Sequence, residues 1–293
     1  MKAAVHLAKR GVRSGVYLLY HLLLEKCFRI FQKQKDLRLF EQSQPPLVKL
    51  IDFNGVQFAM AIATHGAIED HILQHGNWSG DLLLLTDYFV QPNTAIVEVG
   101  ANIGFESLYY ARKYPNCVVY SYEPGAYAHH ALSLSKAYNR LNNLELFKLG
   151  LGDATGVMSL ESPTDASRNR GLGSLKRNID HDETYERESV KIVTLDSHFS
   201  DLRRLSLLKI DTQGFEWNVL RGAVQTIKKH RPVILFEHED QYHDDPHYVR
   251  GRIADLLEAC GYDLYSAGAE ILKRVDFVGS KQWHGDVLAL PRT

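Results

Sequence analysis

The run Ile96–Ser107, I-V-E-V-G-A-N-I-G-F-E-S, limits this chain to very few folds. Ala95, Ile96, Val97 and Val99 form an apolar stretch that suits a buried parallel strand and is too short for a helix; it stops at Gly100. A turn bracketed by Gly100 and Gly104 follows, then a helix expected over Phe105–Lys113. Glycines let the backbone approach a ligand, and a helix start points free N–H groups at the same place. A strand, a glycine turn and a helix in that order suit a nucleotide-like ligand.

The next segment narrows the ligand. A second apolar strand, Cys117–Tyr122, ends at Glu123-Pro124, which sets a carboxylate at the tip of the neighbouring strand, where nucleotide-binding α/β folds hold ribose hydroxyls. The dinucleotide fingerprint G-x-G-x-x-G is broken, because Asn102 and Phe105 stand at its second and third glycines. A pyrophosphate needs that close approach, whereas a ligand with a ribose and no phosphate does not. S-adenosylmethionine is such a ligand. Glu98, just ahead of Gly100, would repel phosphates and is expected to meet the cationic methionyl end through water or the loop amides.

These motifs are similar to those of the FkbM-type S-adenosylmethionine-dependent methyltransferases. The resemblance rests on V-E-V-G-A-N-I-G (Val97–Gly104), Y-E-P (Tyr122–Pro124), G-L-G-D-A-T-G (Gly150–Gly156), T-L-D (Thr194–Asp196), K-I-D-T-Q-G-F-E-W-N-V-L-R-G-A (Lys209–Ala223) and I-L-F-E (Ile234–Glu237), in family order. It implies methyl transfer to a hydroxyl of a glycan or secondary metabolite without naming the acceptor. It also implies that Asp153 accepts a hydrogen bond from the adenine amino group.

Charge divides the chain. Met1–Leu50 carries ten Lys/Arg against three Asp/Glu, while the whole chain has a net charge of −1, so the basic excess lies entirely at the front. Val16–Phe31 is apolar but interrupted by Glu25 and Lys26, too short to span a bilayer, and not followed by a cleavage site. Two readings stand: a basic amphipathic helix lying on an anionic membrane face, or, favoured, a helix packed on the main domain or on a second copy of the chain. No nucleic-acid partner is expected. Three scattered cysteines, Cys27, Cys117 and Cys260, suggest neither a disulfide framework nor a zinc knuckle and fit a reducing cytoplasm.

Pro45-Pro46 marks a boundary, giving an N-terminal extension over 1–46 and a methyltransferase domain over 47–293 with its cofactor-binding core at about 94–240. Leu47–Phe53 and Val56–Ala61 alternate as strands about the hairpin turn Asn54-Gly55. Trp78, between two expected helices, is either near the cofactor pocket or a rim aromatic. Leu144–Leu149 is a third strand, ending at Asp153. Glu161–Ser189 is read as a loop, with Arg170–Leu175 as a lid over the cofactor or acceptor.

The strand Ser206–Ile210 carries Asp211 at its tip, facing the ligand crevice near the reacting methyl group. One helix is expected over Glu216–Lys228, with Glu216 in a supporting role. Past Pro232–Phe236 the chain turns dense in acids and histidines. There His238 is read as the general base for the acceptor hydroxyl, Asp211 with Glu237 or Asp240 as ligands for a divalent metal ion such as Mg²⁺, or the whole run as a hydrated loop. Two late strands, Tyr262–Ser266 and Asp286–Leu290, complete the pattern.

The expected fold is doubly wound α/β: a Rossmann-like class I methyltransferase with a seven-stranded, mostly parallel sheet and an N-terminal helical and hairpin extension. Glu98, Gly100, Asn102 and Gly104 are expected at the methionine end, Glu123 at the ribose, Asp153 at the adenine, and Asp211 and His238 at the reacting centre. Two rivals remain: a nicotinamide-dependent oxidoreductase, disfavoured by the missing glycines, and a cofactor-binding scaffold without turnover.

Overall fold

A computed structural model of the chain describes residues 47–62, 66–163, 173–175, 185–199, 203–267 and 273–292. They all belong to the unit Pro46–Thr293; the expected basic helix lies outside the described residues. No helix among the described residues is long and apolar enough to cross a membrane.

Numbered over the described elements, the chain runs β1 (Leu47–Phe53), β2 (Val56–Ile62), α1 (Ala67–His75), α2 (Gly80–Asp87), β3 (Ala95–Val99), α3 (Phe105–Lys113), β4 (Val118–Tyr122) and α4 (Ala126–Asn139). It continues through β5 (Leu144–Phe147), β6 (Gly150–Leu151), β7 (Gly156–Pro163), β8 (Tyr185–Val193), α5 (Leu195–His198), β9 (Leu205–Ile210), α6 (Glu216–Arg221) and α7 (Val224–His230). The last elements are β10 (Val233–Glu239), α8 (Pro246–Ala259), β11 (Tyr262–Ala267), β12 (Lys273–Arg274) and β13 (His284–Pro291).

The main sheet has the order β12-β11-β13-β10-β9-β3-β4-β5. Strands β5, β4, β3, β9 and β10 are parallel; β13 runs antiparallel between β10 and β11, so β11 points the same way as β10, and the two-residue β12 pairs antiparallel with β11 at the edge. This is the expected class I sheet. β3 and β9 are buried along their whole length, because helices cover both faces. On one face Val97, Leu208 and Phe236 pack with Val219, Leu220, Ile227, Ile253 and Leu257 of α6, α7 and α8. On the other, Ile96, Val119 and Leu207 pack with Leu108 and Leu132 of α3 and α4 and with Phe58 and Met60 of the hairpin β1–β2.

The hairpin is fastened by side chains of α4. Asn139 accepts from the Ala59 N–H at 2.8 Å and donates to the Ala59 carbonyl at 2.6 Å, and Ser135 accepts from the Ala61 N–H at 2.9 Å. An otherwise open strand edge is thereby satisfied without a further strand.

The sequence expectation fails in two places. Glu161–Ser189 is not all loop: Glu161–Pro163 belongs to β7 and Tyr185–Ser189 to β8, an antiparallel pair that forms a second sheet of order β6-β8-β7. The helix expected over Glu216–Lys228 is two helices, parted at Gly222-Ala223. Gly222 is pressed so closely on the Gly152 carbonyl that a Cβ would collide with it, so the break seats α6 against the β6–β7 turn.

Candidate active site

The glycine turn after β3 is shaped by close approach. Gly100 has φ +81°, and a Cβ there would run into the Asp211 carbonyl oxygen, so the tips of β3 and β9 meet at this residue. Asn102 is also left-handed at φ +49°; its Oδ1 accepts from the Ile103 N–H at 2.8 Å, a local bond that makes asparagine tolerable there. Gly104, at φ +87°, leads into α3 with Leu132 where its Cβ would be.

Glu123 is fixed by that turn. Its two carboxylate oxygens accept from the backbone N–H groups of Asn102 at 2.9 Å and Gly125 at 2.8 Å. Burial pushes its pKa up to about 7, against the pull of those two bonds. Each oxygen keeps lone pairs to accept further hydrogen bonds. Asp153, past β6, forms an ion pair with Arg221 and accepts from Asn218 Nδ2 at 3.3 Å. It therefore ties its turn to α6, and an adenine amino group would share it with those partners.

One sheet face collects the charges. Glu98 lies opposite Ser121 and Lys209, Lys209 opposite Leu235, and Glu237 opposite Asp286, so strand alternation directs all of these side chains to the same side. Lys209 Nζ is 2.9 Å from Glu106 Oε2 and 3.5 Å from Asp211 Oδ2. Burial acts to lower the Lys209 pKa, yet Glu106, Asp211 and Glu98 together hold it well above the ordinary value. Glu98 corrects an expectation. Only 2% exposed, it accepts from the Ser107 hydroxyl, which also meets Ser121 Oγ at 2.7 Å. Burial and then Glu106 push its pKa up to about 8, and it lies beneath α3, closed in by Ser107.

Nearer the strand tips, Gln213 Nε2 donates to Asp211 Oδ1 at 3.0 Å and to Glu237 Oε2 at 2.7 Å, while its Oε1 accepts from the Tyr242 hydroxyl at 2.7 Å. The loop holding it is set by Glu216, whose Oε1 accepts from Thr212 N–H, Thr212 Oγ1 and Gly214 N–H at 2.9–3.0 Å. Burial, followed by Asp211 and Asp286, pushes the Glu237 pKa up to about 9; Asp286 itself rises to about 7 through burial. Ser174 donates to the Gln213 carbonyl at 3.0 Å, so Gly173–Leu175, the described part of the expected lid, rests on this loop.

His238 is elsewhere. It shares a sheet face with Phe236, opposite to Glu237, and is fully buried. Its ring stacks on His243 at 4.7 Å, meets Phe277 edge-on at 5.3 Å, and has Nε2 3.3 Å from Asp240 Oδ1. Asp240 also accepts from the Trp283 N–H at 2.8 Å and faces Arg250 at 3.6 Å. The role of general base expected of His238 does not fit a buried imidazole on the far face. Of the expected metal set, Asp240 is held with His238 and Arg250 on the far face, Asp211 and Glu237 meet on the donor Gln213 Nε2, and no group of three His, Cys, Asp or Glu among the described residues is arranged to hold an ion. Trp78 is partly buried against the hairpin-side core and edge-on to His71 at 5.4 Å.

Gln213, Tyr242, Lys209 and Asp286 were not assigned to the site from sequence. A charged residue inside the apolar run L-S-L-L-K-I was the available signal for Lys209, and alternation along the strands would have grouped Lys209 with Glu237 and Asp286.

A Rossmann-like sheet with a carboxylate at the tip of β4 and a glycine turn beside it is the architecture of nucleoside-binding α/β proteins. The chain belongs to the methyltransferase FkbM domain family, which matches residues 98–264. It is 28% identical over 204 residues to "Methyltransferase sdnD" of Sordaria araneosa, covering 61% of this chain and 77% of that protein. It is 25% identical over 178 residues to "2-O-methyltransferase NoeI" of Sinorhizobium fredii, covering 57% of this chain and 72% of the relative. Among solved structures, methyltransferase FkbM from Methylobacillus flagellatus KT aligns at 15% identity and a TM-score of 0.45, over 71% of this chain and 47% of that one.

Proposed function

We propose that this chain transfers a methyl group from S-adenosylmethionine to a hydroxyl of a sugar, glycan or secondary-metabolite acceptor. The observation that carries the reading is Glu123, oriented by the Asn102 and Gly125 N–H groups beside the Gly100 turn, with lone pairs free for a ribose diol. The residues present fit the cofactor. Gly100 lets the tips of β3 and β9 meet beside the turn, and the carboxylates of the neighbouring strand tips suit a positive charge rather than a phosphate.

When bound, S-adenosylmethionine supplies an electrophilic methyl group on a sulfonium. The protein's contribution is position: Glu123 holds the ribose, the Gly100–Gly104 turn holds the methionyl end, and Asp211 faces the reacting centre. Aligning donor and acceptor lowers much of the remaining barrier. The likeness to the 2-O-methyltransferase NoeI of Sinorhizobium fredii supports oxygen as the accepting atom.

The test is a methyl-transfer assay with isotopically labelled S-adenosylmethionine against panels of glycans and hydroxylated secondary metabolites, read by mass spectrometry. Label on an acceptor oxygen is expected. Label only on nitrogen or carbon acceptors would overturn the O-methyl assignment.

A further inference from the structure

We infer that the Gln213-bridged carboxyl pair Asp211–Glu237 is a charge-linked proton site, in which Glu237 holds a proton in the free protein, releases it when the cationic cofactor enters, and takes the acceptor's hydroxyl proton during transfer. The inference rests on the cofactor reading above.

The geometry comes first. One amide group, Gln213 Nε2, donates to both carboxyls at 3.0 and 2.7 Å, which holds the two acids within reach of a single small donor. Gln213 is in turn held by the Tyr242 hydroxyl on its Oε1, so its amide cannot rotate without losing a bond. The charged neighbours that act most on Glu237 are acidic: Asp211 beyond β9, Asp286 from β13, Glu216 from α6 and Glu239 on its own strand, the last paired with His284 at 2.8 Å. Lys209, a cation of this face, is 3.5 Å from Asp211 and already paired with Glu106 at 2.9 Å. A half-buried pair of carboxyls so placed is not doubly ionised until a further positive charge arrives. The raised pKa of Glu237, about 9, agrees with this.

Arrival of a sulfonium supplies that charge, and Glu237 ionises. In the transfer step an acceptor oxygen lone pair forms the new C–O bond, the C–S bond breaks, and its electron pair stays on sulfur. The proton leaves the hydroxyl for the Glu237 carboxylate. Because the positive charge on sulfur disappears in that same step, the proton affinity of Glu237 rises as the proton becomes available. No histidine is needed, and the neutral thioether product no longer has a charge to hold it. Gln213 is a positioning residue.

Proton counting tests this without an acceptor. The full chain is titrated calorimetrically with S-adenosylmethionine and with S-adenosylhomocysteine, each in two buffers of different ionisation enthalpy. Wild type is expected to release about one proton per S-adenosylmethionine bound and far less per S-adenosylhomocysteine. Glu237→Gln is expected to lose most of that release while still binding S-adenosylhomocysteine, and comparison with wild type removes any contribution from the ligand's own amino group. Equal proton counts for the two ligands in wild type would overturn the inference even if the variant does not fold, as would unchanged release in a folded Glu237→Gln. Heat with neither ligand would overturn the cofactor reading and this inference with it. Binding of both without a difference in protons would overturn the inference alone.

Discussion

At the scale of single residues, carboxyls of one chemistry do different work according to their partners. Glu123 accepts from two backbone N–H groups and remains at the crevice, whereas Glu98 is beneath α3 with Ser107. Replacing Glu123 by alanine should weaken S-adenosylmethionine binding at least about tenfold, roughly 1.4 kcal/mol, as read by titration. Glu98 has a separate signature. Its folded pKa, about 8, lies above the ordinary 4.5. The stability its protonated form contributes is complete below the ordinary value and is lost as pH rises through about 8. The melting temperature of the ligand-free protein should therefore fall from mildly acid to mildly alkaline pH, and Glu98→Gln should flatten that fall. An identical slope in the variant would assign the dependence to other carboxyls.

At the scale of elements, the strand, glycine turn and helix from β3 to α3 were legible because each depends on local chemistry: an apolar run, glycines at positive φ and a helix start. Gly100→Ala combines a left-handed strain of about 1–2 kcal/mol with a collision against the Asp211 carbonyl. It should lower the melting temperature and cofactor affinity together; a variant as stable and as tight as wild type would contradict the close approach. What was not legible has tertiary causes. β8 carries Glu186, Arg187, Glu188 and Lys191 at exposed or half-buried positions, so its composition reads as loop although it pairs register by register with β7. The break between α6 and α7 is set by Gly222 meeting Gly152, a residue far away in sequence. His238 has the same parity as Ile234 and Phe236, which assigns it to the core face, whereas the acidic and histidine-rich run after it has the composition of a catalytic loop.

At the scale of the whole molecule, the sheet separates two polar systems. One face carries Glu98, Lys209, Asp211 and Glu237; the other buries His238, Asp240 and Arg250 beneath α8. Arg250 is fully buried and reaches Asp240 at 3.6 Å and the Ser280 carbonyl at 2.8 Å. Asp240→Ala leaves a buried guanidinium without its carboxylate and should cost about 3–5 kcal/mol in urea unfolding, while the folded fraction keeps its cofactor affinity. Loss of affinity at unchanged stability would instead assign this cluster to the active site.

The central claim is that the crevice at the tips of β3, β4 and β9 binds S-adenosylmethionine through Glu123. Titration of the wild-type chain and of Glu123→Ala with S-adenosylmethionine and with NADH tests it most directly. Saturable one-to-one heat with S-adenosylmethionine, weakened in the variant and absent for NADH, is the expected result. Silence with S-adenosylmethionine, or equal affinity in the two proteins, would contradict the account.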